Sequence, residues 1–279
     1  MPKKSDKLNK DAVLELAEAF VDAEAGVQRK IVKRPTMTEA YAVTESGQRD
    51  MLWKDAPDSF KSELSEDARS IYKTVYGKAL AKGLEDACMA SRDSMDYFKS
   101  CARSIGENPI YLTNPMGFTM RQAYKKEKNV TIQSASAGSW VKAQYTIKGN
   151  QISVSKQESA IAPNITHSHD SAHMLMVVER MKDRDMSWLL VHDDYATHAG
   201  EVTKMNEVIR ETFIEIHKED VLAKVKDQIV EQGADISKIG IEREEMVDGK
   251  MKKVWYANPI DRHNDFDLEE VKKSTYFFA

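Results

Sequence analysis

Apolar residues recur three and four apart through AVLELAEAFVDAEAGVQRKIVKR and again through residues 59–105, the spacing that lines one face of an α-helix. The first stretch predicts one or two helices with Gly26 as the break, and the second a helix-rich region with few breakers. Pro35 is awkward in a helix interior; it fits near a new first turn or as a kink in a continuing helix. The period then changes. NPIYLTNPMGF turns twice through Asn-Pro, and VTIQSASAGSWVKAQYTIKGNQISVSK alternates as short strands around glycines. Helical spacing returns from Ala160 to Arg180, behind KQESAIAPN, where Pro163 and Asn164 predict a break between a strand end and a capped helix start. SWLLVHDDYATHA sets a short apolar strand directly before two aspartates. Residues 201–233 predict a long helix, MVDGKMKKVWYA a hairpin, and 267–275 a last short helix. Helices, small sheet, helix, strand-turn and helix follow one another without a series of βαβ units, which makes the class α+β.

Composition narrows this picture a little. With 279 residues, 41% hydrophobic and 31% charged, the chain reads as globular, with core enough for one large or two modest domains. No run approaches the length of a membrane-spanning helix. The opening MPKKSDKLNKD is basic with no apolar segment behind it, unlike a secretory signal. Cys88 and Cys101, both in helical text, fit a reducing compartment better than a disulfide scaffold. A formal net charge of -4 neither requires nor excludes nucleic acid, because distribution matters more than the sum. Basic groups gather at residues 29–34 and 124–128, acidic ones at 207–220 and 264–270. That segregation fits a basic channel on an acidic body, or simply solvated faces.

Three constellations could carry chemistry. Arg29 and Lys33 stand four apart, so a helix puts both cations on one face, suited to the phosphates of a nucleoside triphosphate. Tyr41 follows eight residues on, a little over two helical turns, where a ring could stack on or gate a base. The same spacing fits a solvated basic face with a core tyrosine. VHDDY (191–195) brings Asp193 and Asp194 to a strand end, where one carboxylate could bind a divalent cation while its neighbour faces away. HSHDSAHM (167–174) gathers His167, His169, Asp170 and His173, which could ligate zinc or instead pack and hydrogen-bond. A metal hydrolase, a nucleotidyl transferase and a non-catalytic binding subunit all remain open on spacing alone.

Several longer motifs, in order, resemble the single-subunit, bacteriophage-type RNA polymerases. RKIVKRPTMTEAY (29–41) is similar to their fingers helix, R-x3-K-R-x2-M-T-x2-Y. NPMGFTMRQAYKK (114–126) resembles their T/N-P-x-G-F…Q-x-Y-K-K segment, and KQESAIAPNITHSHDSAH (156–173) their K-Q-E-S-x-I-A-P-N…H-S-x-D-x-x-H block. VHDDYATH (191–198) resembles the strand-turn that carries a metal-binding aspartate, and YFFA their aromatic ending. Family A DNA polymerases share the Arg, Lys and Tyr spacing. Their helix, however, has Phe-Gly where this chain has Met37-Thr38, and their metal strand favours H-D-E over His192-Asp193-Asp194.

The resemblance implies the C-terminal half of a right-hand polymerase, with helical fingers and an incomplete palm. Residues 1–28 would form a lead-in and helix, 29–155 mainly fingers with an inserted small sheet, and 156–279 the palm-associated helix, metal strand-turn and C-terminal region. It implies that Arg29 and Lys33 hold the incoming phosphates, with Lys33 the acid or charge stabiliser at the leaving pyrophosphate. Tyr41 would lie at the sugar-selection end, and His167 on the minor-groove side of the nascent pair. Asp193 would bind catalytic magnesium, His192 would lie beside the RNA 3′ end, and Lys125 and Lys126 would contact nucleic acid. DNA template, nascent RNA, ribonucleoside triphosphates and an accessory transcription factor follow as partners, with no membrane. The family's other palm aspartate, in a D-G-x-C-x-G-x-Q run, has no counterpart in residues 1–28. We therefore expect one subunit of a split RNA polymerase, inactive alone and completed by a companion chain, working in the host-cell cytoplasm during phage infection. A family A DNA polymerase fragment and a non-catalytic polymerase-derived subunit are the alternatives. Ala42 replaces the glycine common after the fingers tyrosine, Pro35 a usual non-proline, and His169 a common glutamine.

Overall fold

Asn9 accepts a hydrogen bond from the Asp11 amide and so starts helix α1 (Lys10–Asp22). The chain then runs extended through Ala23 and Glu24 before α2 (Ala25–Met37). The break therefore falls before Gly26, which lies in the first turn of α2, contrary to the sequence expectation. Two extended residues suffice to separate the helices. A 3-10 turn (Thr38–Tyr41) follows, then α3 (Glu45–Asp55), α4 (Asp58–Glu63), α5 (Glu66–Ala87) and α6 (Met89–Ile105). Thr44 and Ser65 cap α3 and α5 by accepting from the Gly47 and Ala68 amides. The computed structural model describes residues 9–41, 43–136, 139–191, 194–247, 249–258, 267–275 and 277. They fall into two compact units, Met1–Arg92 and Asp93–Ala279. This is a division by packing; the expected lead-in, fingers and palm-associated regions would be a division by role, with other boundaries.

In the first unit α5 supplies the centre of the core. Tyr72 and Tyr76, four apart, meet edge-on at 4.4 Å, and Leu16, Ile31 and Leu52 are buried in the same cluster. The Tyr76 hydroxyl donates to the Leu16 carbonyl at 2.7 Å, so the large ring is buried without stranding its polar tip.

The second unit pairs its strands in hairpins. β1 (Ile110–Thr113) runs antiparallel to β2 (Thr119–Gln122), with Ile110 opposite Gln122. Asn114 closes the turn, its Oδ1 accepting from the Met116 and Phe118 amides. β3 (Lys125–Ser136) and β4 (Ser139–Ile152) form one long ribbon rather than several short strands. Past a register shift between Lys125 and Glu127 the strands alternate: Val130 and Ile132 lie opposite Tyr145 and Ala143 on one face, Asn129 and Thr131 opposite Thr146 and Gln144 on the other.

Helix α7 (Val154–Asp183) begins under Ser153 and runs straight through Pro163, so the expected break at Pro163-Asn164 does not occur. Proline costs the helix one hydrogen bond. Burial of Ile161, Ala162 and Ile165 on either side offsets that loss. Hairpin β5 (Leu189–Val191)–β6 (Asp194–Ala196) follows, as the apolar run predicts. The single long helix expected over 201–233 is instead α8 (Val202–His217) and α9 (Val221–Glu231). Asp220 divides them by accepting from the Ala223 amide as a new N-cap. Past α9, β7 (Ile241–Val247) and β8 (Lys250–Tyr256) form the expected hairpin. The expected last helix is a 3-10 turn, Leu268–Lys272. Among the described residues no helix is long and apolar enough to cross a membrane.

Glutamine side chains tie the hairpins to the helices. Gln228 and Gln232 each accept from and donate to β1 backbone, at Thr113 and Tyr111, and so occupy an open strand edge. Gln157, fully buried on α7, accepts from the Tyr124 amide at 3.2 Å. Its Nε2 lies 3.0 Å from the Gln122 carbonyl and 3.3 Å from that of Asn108. Further along α7, the buried His173 places Nε2 3.1 Å from both the Ile209 carbonyl and the Thr212 hydroxyl of α8. Tyr195 of β6 brings its hydroxyl to 3.5 Å from Nδ1 of the same ring.

Gln157→Leu fills the same space but leaves three backbone groups without their partner. It should lower unfolding stability by about 2–4 kcal/mol, read as a shifted urea midpoint at unchanged slope. Burial, the largest influence, pushes the imidazoles of both His169 and His173 below the ordinary 6.5. The unfolded chain therefore takes up protons first, and stability should fall as pH drops below 6.5 towards the lowered folded values. Denaturation midpoints between pH 7.5 and pH 5 should show that slope, and His173→Gln should flatten it.

Candidate active site

Helix α2 buries a stripe made by Ile31 and Pro35, four residues apart. Arg29 and Lys33 lie off that stripe and are exposed. Their neighbour Arg34 pairs with Asp55 of α3 at 2.8 Å. Among the described residues neither Arg29 nor Lys33 has an ion-pair partner. Two cations are thus held about 6 Å apart along a helix, with no ion-pair partner among the described residues of this unit. They match the oxygens of a phosphate chain in charge.

Tyr41 closes the 3-10 turn that follows α2. The change from α to 3-10 geometry means that an α-helical extrapolation from Lys33 does not give its direction. Its side chain lies outside the described residues.

In the second unit, His167 is exposed on α7 and lines an open groove of about 550 Å³. Phe118, Arg121, Tyr124 and Asn164 line the same groove. Asn164 donates to Gln122 Oε1 at 2.8 Å and lies 3.3 Å from the Tyr124 hydroxyl, which sets that wall. These three lining residues belong to the NPMGF…QAY and APN motifs, yet spacing alone offers no way to see that the two motifs share a groove. Lys125 and Lys126 open β3. Lys126 reaches Glu107 at 2.6 Å, an exposed pair that is weak in water.

His192 and Asp193 lie outside the described residues, between the paired Val191 and Asp194. Asp194 and Ala196 are exposed, while Tyr195 between them is half-buried and packs against the cluster of Val177, Met181, Met205 and Val208. The expectation that Asp193 and Asp194 face opposite ways falls on Asp193, outside the described residues; Asp194 and Tyr195 differ in exposure as strand alternation requires. Magnesium takes oxygen ligands from several groups. Asp194 is the one described carboxylate on this hairpin, so the described residues fit a contribution to such a site and not a whole one.

The zinc reading of the histidine cluster finds no support in the geometry. His173 turns inward to α8, and His169 Nδ1 lies 3.0 Å from the Ile165 carbonyl. Among the described residues no group of three or more His, Cys, Asp or Glu could hold a metal ion. Arg29 and Lys33 belong to the first unit, and His167, Lys125 and Lys126 to the second.

A family model described as DNA-dependent RNA polymerase matches residues 3–279. The chain is 29% identical over 255 residues to the mitochondrial DNA-directed RNA polymerase 1 of Arabidopsis thaliana, covering 90% of this chain and 24% of that protein. It is 29% identical to the chloroplastic/mitochondrial DNA-directed RNA polymerase 2B of Nicotiana tabacum, over 98% of this chain and 25% of the relative. To DNA-directed RNA polymerase 2A of Nicotiana tabacum it is 27% identical, over 98% of this chain and 77% of the relative. The chain thus spans about a quarter of the length of the first two relatives. A match across nearly every residue, joined to an unpaired cation pair on a helix of the R-x3-K-R-x2-M-T-x2-Y pattern, gives the assignment: the chain belongs to the phage-type DNA-dependent RNA polymerase family.

Proposed function

We propose that this chain supplies the fingers and part of the palm of a DNA-dependent RNA polymerase, and transfers ribonucleotidyl groups when a companion chain provides the other palm carboxylate and the N-terminal regions. The observation that carries this reading is the pair Arg29 and Lys33, exposed and without an ion-pair partner among the described residues of α2. Two-metal transfer needs carboxylates from different strands. Neither cysteine of these 279 residues stands in a D-G-x-C-x-G-x-Q run, which is why the second carboxylate is assigned to other polypeptide.

In this reading Arg29 and Lys33 bind the triphosphate, and Lys33 faces the charge that grows on the leaving pyrophosphate. Fixed cations cost no reorganisation as that charge develops. Magnesium, when bound, would neutralise the phosphate oxygens and lower the pKa of the attacking RNA 3′ hydroxyl; Asp193 is the residue of this chain that would hold it. His192 borders the RNA 3′ end, and Tyr41 borders the sugar of the incoming nucleotide. His167, with the groove wall of Tyr124 and Asn164, meets the minor-groove side of the nascent pair. Lys125 and Lys126 meet the nucleic-acid backbone.

The test is template-dependent incorporation by the chain captured with its associated polypeptides, offered ribonucleotides and deoxyribonucleotides separately. Ribonucleotide incorporation requiring a second chain is the expected result; deoxyribonucleotide preference, or no incorporation, would overturn the proposal. Asp193→Asn should abolish incorporation without disturbing assembly. Lys33→Ala should slow single-nucleotide addition by about 10²–10³, the scale for losing a fixed charge at a developing anion. Tyr41→Phe should keep most of the rate while the preference for ribose over deoxyribose falls, read as the ratio of kcat/KM values.

A further inference from the structure

The segment leading out of α2 is weak by construction. Pro35 offers no N–H to the last turn, and the 3-10 geometry of Thr38–Tyr41 makes poorer hydrogen bonds than an α-helix. Thr38 repairs part of this, its hydroxyl donating to the Arg34 carbonyl at 2.9 Å with the Pro35 carbonyl at 3.2 Å. The next residue makes the stronger attachment. Glu39 is buried, with only 8% of its surface exposed. One carboxylate oxygen accepts from Arg92 Nε at 2.7 Å and the other from Gln48 Nε2 at 2.5 Å. Gln48, on α3, is itself buried.

An apolar side chain of similar volume would serve stability at least as well as a buried ion pair, because desolvation consumes most of the Coulombic gain. What the charged clasp adds is position. Two partners on two other helices hold both oxygens of one carboxylate, and the turn that contains it cannot slide along α3 without breaking one bond. We propose that Glu39 is a positioning residue: through Arg92 and Gln48 it fixes the turn that places Tyr41 beyond the Arg29–Lys33 face. The inference rests on the polymerase reading of that face and extends it to a residue that touches no substrate.

The experiment uses the assembled polymerase with Glu39→Ala, Glu39→Gln and Arg92→Ala, and reads ribonucleotide KM, kcat and the ribose-to-deoxyribose ratio of kcat/KM. Glu39→Ala should raise KM about tenfold and lower the ratio, with a smaller change in kcat, and Arg92→Ala should do the same. Glu39→Gln, which keeps the length and one acceptor oxygen but replaces the other with an NH2 donor, should recover part of the effect. The double variant Glu39→Ala, Arg92→Ala should be no worse than either single one. Amide exchange of the Glu39→Gln chain gives a reading even where the alanine variant fails to assemble. Faster exchange confined to residues 38–41 supports the inference, and exchange raised equally across 25–41, or nowhere, overturns it. Lowered stability with KM and sugar ratio unchanged also overturns it. If the unmodified polymerase incorporates nothing, the functional reading itself fails. If it works normally and Glu39→Ala matches it, only this inference fails.

Discussion

The second unit depends on one buried amide. A glutamine with no exposed surface must find partners for both its oxygen and its nitrogen, or the unit loses a large part of its net stability. Gln157 finds them on backbone: the amide of Tyr124 and the carbonyls of Gln122 and Asn108. Those three groups belong to two pieces of chain, the lead into β1 and the segment leaving β2, so the start of α7 has one register against the first hairpin. Everything further along α7 inherits that register. His167 lies ten residues on, about 15 Å along the axis at the rise of an α-helix, and is thereby set on the groove that Tyr124 and Asn164 wall. The reciprocal bond from Gln122 Nε2 to the Gln157 carbonyl, at 2.8 Å, closes the arrangement from the other side.

The first unit, built on its buried core, carries on the exposed face of α2 two charges without ion-pair partners among its described residues. Like charges four apart on a helix repel, at a cost of roughly 0.2–0.5 kcal/mol, and Arg29 with Lys33 carry that cost without an ion-pair partner among the described residues. Elsewhere the same unit pairs some of its cations, Arg34 with Asp55, Lys73 with Asp50 and Arg92 with Glu39. Under the proposed function the pair at 29 and 33 keeps its charge for an anion, since a phosphate chain would remove the repulsion and gain two fixed donors.

Periodicity revealed most of the elements, because amphipathic helices and alternating strands write their buried face directly into the sequence. It failed where the deciding group was tertiary. Pro163 looked like a boundary, since its missing hydrogen bond is local and visible, whereas the burial of Ile161 and Ile165 that carries the helix past it is not. Gly26 looked like a break because glycine is the weakest helix former present, yet the chain had already left the helix at Ala23. Residues 201–233 read as one helix since the apolar period continues; the capping carboxylate of Asp220 decides otherwise. At the candidate site, Arg29 and Lys33 were legible by spacing, and the shared groove of Tyr124, Asn164 and His167 was not. Its walls are some forty residues apart in sequence. Glu39 is the clearest omission, for nothing in TMTEAY distinguishes a buried, doubly bonded glutamate from a solvated one.

The hairpin β5–β6 shows how packing and chemistry meet in this chain. Strands of three residues cannot hold their own conformation, since an isolated two-stranded hairpin is marginal even when longer. What steadies it is Tyr195, which packs on Val177 and Met181 of α7 and on Met205 and Val208 of α8 and directs its hydroxyl towards His173. With the ring neutral, Nε2–H donates to the Ile209 carbonyl, and Nδ1 is left to accept from Tyr195. Protonation would place a second hydrogen between Nδ1 and the tyrosine oxygen and reverse that contact. The lowered proton affinity that burial imposes on His173 therefore also maintains the support beneath the strand flanking the acidic turn. A histidine that first looked like a metal ligand thus supports strand β6, through packing and one hydrogen-bonded contact with Tyr195.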